Sequence, residues 1–524
     1  QNREEAMSAL ITRRSLLLSA GTVAGAGLIG LSPMRALAQD GPQKGGTFRL
    51  AIADFDTGDT LDPQLNETRF MMNLHYSLRN NLIEVGPGGV LQPELATEWG
   101  SNADSTVWTF KLRDGVTFHN GKTMTADDVV WSVNLHRGPD TVSEAKSLMA
   151  AITDVQASAP NEVTITLAAP NAGFASLMSM TNILIVPAED TNFAAGIGTG
   201  GYTLESFEPG VSARVLRNPN YWKEGRAHFD AVEFKAIRDV NARLTALQTG
   251  QIDAMNYVDA TTANLLKAMP NMQLIQTQGK MHYAFSMRVT DGPFSDPDVR
   301  RAMKLAINRE DIVAKILSGF GSVANDQPIS AAYPDHNPDL PQTVYDPDQA
   351  CALFKKAGVE GAKIPLHVAD TPFTGAVDAA QLYREHAAAA GIELDVVREP
   401  DDGYWSNIWG KKPFFATKWS GRVNEDAMLS LAYSRESIGS WNETGWDNEA
   451  FNTTLLAARG EKDAAKRREL YWECQRLIHD DCGLVALVWA DFLDATSSNV
   501  RHGDLASDWE LDGARAAERW WFAA

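Results

Sequence analysis

The sequence predicts an α/β protein with mixed sheets. Three observations predict it. Short stretches alternate apolar and polar residues with a period of two, capped amphipathic helices lie between them, and no apolar run beyond residue 38 is long enough to span a bilayer. No short-period repeat is present, so the elements belong to ordinary domains and not to a solenoid.

The elements follow in order. Residues 44–55 alternate Thr47, Arg49 and Ala51 with Phe48, Leu50 and Ile52, a strand. Residues 70–82 look helical, and residues 95–99 look like a further helical turn. Val107, Thr109 and Lys111 alternate with Trp108, Phe110 and Leu112 in a strand that turns at Asp114-Gly115, with another turn at Asn120-Gly121. Thr125 caps a helix whose first turn carries Asp127 and Asp128, where the helix dipole favours negative charge. Residues 152–169 form a strand pair. A glycine-rich loop at 196–202 leads to strands at 202–207, 213–217 and 229–238, then a helix at 241–249 and a strand at 280–287. Ser295-Asp296-Pro297-Asp298 starts a helix, Asn308 opens another, residues 376–391 make a third before a strand at 392–397, and a long helix at 464–479 precedes an apolar strand at 484–489.

Residues 1–38 stand apart. Arg13-Arg14, an apolar stretch diluted with Gly and Ala over 16–31, and Ala36-Leu37-Ala38 have the three parts of a cleavable export signal, cut before Gln39. Thr12-Arg13-Arg14-Ser15-Leu16-Leu17 resembles the twin-arginine type, an address read by the twin-arginine export machinery. An uncleaved membrane anchor is the alternative; no Cys at the cut supports a lipid anchor.

Composition is globular, with 44% hydrophobic and 22% charged residues. The net charge of −20 becomes −22 once the net +2 of residues 1–38 is removed, a surface that repels nucleic acid and anionic lipid. Cys351, Cys474 and Cys482 are too few for a disulfide framework. A bridge between Cys474 and Cys482 would require the helix carrying Cys474 to end and fold back; three separate thiols are the alternative. The ten His residues show no metal-ligand spacing, so no metal and no cofactor is expected. Neither a serine-nucleophile elbow nor a phosphate loop is present, since five residues separate Gly115 from Gly121 where the loop needs four.

Several ordered blocks carry a resemblance: Leu95-Ala96-Thr97-Glu98-Trp99, WTFKLRDGVTFHNGK at 108–122, TADDV at 125–129, GTGGY at 198–202, NPNYW at 218–222, and DVRRAM at 298–303 with AINR at 306–309. Together they resemble family 5 of the extracellular solute-binding proteins, the dipeptide, oligopeptide and nickel receptors of ABC importers. The resemblance implies a two-lobed periplasmic binding protein fold, type II and cluster C-like, with a satellite domain. It divides the chain into a ligand-facing domain of lobe I at 39–91, 200–285 and 490–524, a satellite at 92–199, and lobe II at 286–489. Crossings between lobes are expected near Tyr283-Ala284-Phe285 and Val488-Trp489-Ala490. It also implies a periplasmic monomer whose partners are a small-molecule or peptide ligand and the permease subunits of the inner membrane.

Candidate ligand contacts lie mainly in lobe II. Trp405, Trp409, Trp419, Trp441 and Trp446, with Tyr404 and Tyr433, offer stacking faces for a ligand or an ordinary aromatic core; Trp419, Trp405 and Trp441 are the candidates. In Trp419-Ser420-Gly421-Arg422-Val423-Asn424-Glu425-Asp426, dipeptide receptors of the family typically carry Asp after the Gly, where it holds a free amino group. Here Arg422 follows Gly421, and a forked guanidinium suits a carboxylate. With Asp426 facing inward the site would hold a zwitterion; alternatively Arg422 and Asp426 pair with each other. Asp62 either lines the pocket or makes a turn, and Gly198 to Gly201 either bind an anion or simply turn. The expected function is solute capture without catalysis. The rivals are an exported peptidase, and a chaperone or signalling receptor on the same fold.

Overall fold

The computed structural model of the chain describes residues 42–523; the export segment lies outside the described residues. An 11-stranded mixed sheet runs through the molecule. Two long antiparallel strands, Met272–Met287 and Leu484–Ser497, form its spine. On one side of the spine lie Ala254–Met255, Thr47–Ile52, Ala231–Ala236, Ser212–Arg217 and Tyr202–Glu208, in that order. On the other lie Phe414–Trp419, Lys363–Val368 and Glu393–Arg398, while Gly321–Val323 pairs with Leu484–Ser497. Each half buries its own core. Phe48, Leu50, Phe70, Phe229 and Trp520 pack in the first; Phe285, Met303, Tyr383 and Phe414 pack in the second.

The ladder of the spine is irregular where the halves meet. Its register shifts between Gln278 and Met281 and again between Tyr283 and Ala284. Gly279 sits at the first shift, where a Cβ would lie 2.8 Å from the Ala490 carbonyl oxygen, so any side chain would push the strands apart.

A separate four-stranded antiparallel sheet, in the order Ala96–Ser101, Val107–Leu112, Glu162–Leu167 and Ile152–Ala159, packs on the helix Ala126–Asn134. That helix starts with the expected cap, a reciprocal box in which Thr125 and Asp128 satisfy each other's backbone. The helical turn expected at 95–99 is instead the strand Ala96–Ser101, because pairing with Val107–Leu112 overrides the helix preference of Leu, Ala and Glu. The expected strands at 280–287 and 484–489 are the ends of much longer ones. The glycine-rich loop is a packing device: a Cβ on Gly198 or Gly200 would lie 2.1 or 2.4 Å from the backbone of Leu78, at the end of the helix Arg69–Leu78. Cys474 and Cys482 are free, buried thiols. Burial pushes the Cys474 thiol above its ordinary range and holds Cys482 at about 11.

The C-terminal segment is fastened by charge. Arg515 grips Glu94 with both arms, at 2.8 and 3.1 Å, reaches Glu518 at 3.2 Å and lies over the Tyr76 ring at 4.0 Å. Lys223 bonds Glu84 and Glu518 in the same cluster. Arg515 and the three glutamates are almost wholly buried, so each of their charges is tolerated only while paired. Arg515→Ala should therefore lower stability by about 3–5 kcal/mol, read as a shift in the urea midpoint; a change below about 1 kcal/mol would show that the network carries little.

Candidate functional site

A cavity of about 430 Å³ opens between the two halves. The second half contributes Ser420, Gly421, Arg422, Val423 and Trp441; the first contributes Asn66, Glu67, Arg69, Glu144, Thr181, Asp508 and Trp509. The segment after the strand Phe414–Trp419 is held from several sides. A Cβ on Gly421 would meet the Lys280 Cβ at 2.4 Å, so only glycine fits. The Lys280 ammonium donates to the Val423 carbonyl at 3.3 Å and lies 4.8 Å from the Tyr333 ring centroid. The Arg422 amide donates to the Tyr333 hydroxyl at 2.8 Å. Asn424 caps the helix Glu425–Tyr433 through Ala427, and its amide reaches across to Ser176 Oγ at 2.6 Å. Lys462 donates to the Asn102 carbonyl at 2.9 Å, a second contact between the halves.

Arg422 is the cation this loop presents. Its Nη1 donates to the carbonyls of Ser420 and Gly421 at 3.0 and 3.1 Å, and its guanidinium stands 5.3 Å from the Trp419 ring centroid. No carboxylate pairs with it among the described residues. Burial first, with the charge of Arg69 adding to it, pulls its pKa below the ordinary guanidinium value. Arg69, from the opposite half, is held by Glu510 at 3.0 Å and stacks at 4.2 Å on Trp509.

The other sequence candidates divide. Gly421 and Trp441 line the cavity, and Trp419 lies buried beneath Arg422 and 5.9 Å from Trp441. Trp405 lies at the outer end of an aromatic chain running through Trp409 to Trp441, 42% exposed and away from the cavity lining. Asp426 is paired with Arg459 at 3.1 Å and not with Arg422; burial raises its pKa despite that partner. Asp62 caps the short helix Pro63–Leu65 through the Gln64 amide. Of these, Trp419, Asp426, Trp405 and Asp62 stand outside the cavity lining. The lining residues of the first half, Arg69 and Trp509 above all, carry no local motif; only their coming together in space reveals them.

The profile of the bacterial extracellular solute-binding proteins, family 5 Middle, matches residues 90–440. The chain belongs to this family. It is a solute-binding protein of the ABC-importer class, with the two-lobed fold, and family members work outside the cytoplasm. It is 25% identical over 509 residues to the glutathione-binding protein GsiB of Pectobacterium atrosepticum, covering 94% of this chain and 96% of that one. It is also similar to MoaA of A.tumefacien R10 in complex with mannopinic acid, at 25% identity and a TM-score of 0.72, over 92% of this chain and 100% of that one. The periplasmic DppA of Helicobacter pylori in complex with the peptide STSA shares the fold, at 22% identity and a TM-score of 0.74, over 92% and 99%. In this solute-binding protein Arg422 and Arg69 face the cavity from opposite sides.

Asp426 tests how the lobe II loop divides its labour. Asp426→Asn should cost about 1.5–3 kcal/mol of stability through the lost charge-assisted bonds to Arg459, measured by chemical denaturation, while calorimetric ligand affinity stays unchanged. A large loss of affinity at unchanged stability would place Asp426 in the site.

Proposed function

We propose that this protein captures a small carboxylate-bearing solute, a short peptide or a compound of similar chemistry, and delivers it to the permease of an ABC importer. In this reading the protein works as a free periplasmic monomer, exported by the twin-arginine route and cut after Ala38. The three-part segment at 1–38 and the absence of a Cys at the cut support the export step. The domain division stated above is carried with it: the ligand-facing part of lobe I, its satellite, and lobe II.

The observation that carries the ligand class is Arg422. Among the described residues no acidic side chain pairs with this partly buried guanidinium, and a carboxylate would answer it with both oxygens. Trp441 and Trp509 supply apolar contact area on the two sides of the same cavity. The ligands named for the relatives, glutathione, a peptide and mannopinic acid, also carry carboxyl groups, which supports the same class.

The test is calorimetry on the mature chain with a panel of small acids and peptides, following mass spectrometry of whatever copurifies. Arg422→Ala should weaken the carboxylate ligand by about 2 kcal/mol, roughly thirtyfold. Unchanged affinity would assign Arg422 to the loop alone. The bound compound should be recovered intact; turnover in proportion to protein concentration would support the peptidase instead.

A further inference from the structure

Away from the cavity, the halves also meet through the four-stranded sheet and its loops. That unit is fixed to the first half, where the Asn81 side chain donates to the carbonyls of Met180 and Ile183 at 2.8 and 2.6 Å. Its segment 170–176 reaches the second half. The Ala172 amide donates to the Arg459 carbonyl at 2.7 Å, and Ser176 Oγ accepts from the Asn424 side chain at 2.6 Å. Beside them the Lys462 ammonium donates to the carbonyls of Ser101 and Asn102 at 3.1 and 2.9 Å. Val423 packs against the core of the four-stranded unit. Ala172, Ser176, Asn424, Arg459 and Lys462 stand outside the cavity lining, so these bonds join protein to protein and take nothing from a solute.

Both faces are set before they meet. On the four-stranded unit, the Asn171 amide donates to the Ser105 carbonyl at 3.1 Å, its carbonyl accepts from Trp108 Nε1 at 3.2 Å, and its Oδ1 accepts from the Gly173 amide at 2.9 Å. The Ser176 hydroxyl gives its proton to the Gly173 carbonyl at 2.7 Å, which leaves its oxygen as the acceptor for Asn424. On the second half, Asn424 Oδ1 is spent on capping the helix Glu425–Tyr433, and its amide is turned to Ser176. Arg467 donates to the Glu461 and Lys462 carbonyls at 3.0 and 3.4 Å, which fixes the link between the helices Glu449–Gly460 and Ala464–Asp481. Groups already ordered lose little freedom when they bond, so these contacts keep most of their worth.

We propose that the four-stranded unit is the catch of the cleft. Asn424 and Lys462 are positioning residues that hold the second half against it, and they set the closed fraction of the protein independently of solute. The assignment rests on the reading that the halves close on a captured solute. The catch opposes the cost of withdrawing Arg422 from water, and the apparent dissociation constant rises as the closed fraction falls.

The experiment is a distance measurement by pulsed electron paramagnetic resonance on the mature chain, refolded from denaturant to remove any copurified solute. Spin labels are placed at two exposed sites, Ala157→Cys on the four-stranded unit and Ala465→Cys on the second half, with Cys351→Ser. The wild type should give mainly one short distance. Asn424→Asp keeps the helix cap but sets a carboxylate oxygen against Ser176, and Lys462→Met removes the ammonium. Each should raise the ratio of long to short distance about fivefold, and the two together more, with circular dichroism showing an intact fold. Lys462→Arg should behave as the wild type. Two wedges supply the reference for the open distance: a Cβ on Gly173 would lie 3.3 Å from Asn424 Nδ2, and one on Gly460 would lie 3.6 Å from Pro170 Cβ, so Gly173→Trp or Gly460→Trp should force the faces apart. A wedge that opens the protein while the double variant does not, or a wild type already mostly open, overturns this inference alone. If no variant, wedges included, yields the longer distance, the halves do not part and the reading of capture by closure falls with it.

Discussion

The pairing of Met272–Met287 with Leu484–Ser497 is the constraint on which the rest of the molecule depends. Both strands lie at the centre of one sheet, so the two halves on either side share a hydrogen-bonded spine and not a loose linker. A continuous regular ladder would make that spine stiff. Here the register slips twice, at Gln278/Met281 and at Tyr283/Ala284, and Gly279 is the residue that lets the strands approach at the first slip. Local irregularity in an otherwise continuous sheet confines bending to a few residues, which is what hinge closure of two rigid lobes requires.

The cavity wall that carries Arg422 is built directly onto that joint. Phe414–Trp419 pairs with Met272–Met287, and the loop that follows it carries Arg422. Lys280, at the slipped register, packs against Gly421 and holds the Val423 carbonyl. The position of Arg422 is therefore tied to the geometry of the hinge. A change in the angle between lobes and a change in the attitude of the guanidinium are coupled through the same few side chains.

What the sequence reveals follows the range of the interactions. Elements set by neighbours a few residues away are legible: the box of Thr125 and Asp128, the cap at Asp296 with Pro297, and the alternation of Val107–Leu112. Residues 95–99 are misread because their local preference is helical while a partner strand decides their state. The spine strands are legible only in part, since the alternating pattern breaks where the strands change lobes. The cleft shows the same limit. Gly421, Arg422 and Trp441 stand out because one loop and its aromatic neighbours bring them together. Arg69, by contrast, is placed by Glu510, 441 residues further along the chain, and no local pattern announces such a pairing.

The charges of the molecule then separate into two kinds. Some are neutralised in place by carboxylates: Arg515 by Glu94 and Glu518, Arg309 by Asp326, Arg519 by Asp512 and Glu84. Others are answered by carbonyls instead, such as Arg243 and Lys304, deep in the fold and away from the cavity lining. Among the described residues, the Arg422 guanidinium is answered only by backbone carbonyls and the face of Trp419, and it lines the cavity. Withdrawing an unpaired charge from water is unfavourable, so closing the cleft on Arg422 alone works against itself. In the function proposed above, a ligand carboxylate removes that penalty in the closed state and offers less to an open one, where Arg422 would be hydrated. That difference is what a ligand needs in order to shift the equilibrium, because affinity equal in both states moves nothing. On that reading, the same incomplete pairing that makes Arg422 costly to the protein alone lets the solute drive the lobes together.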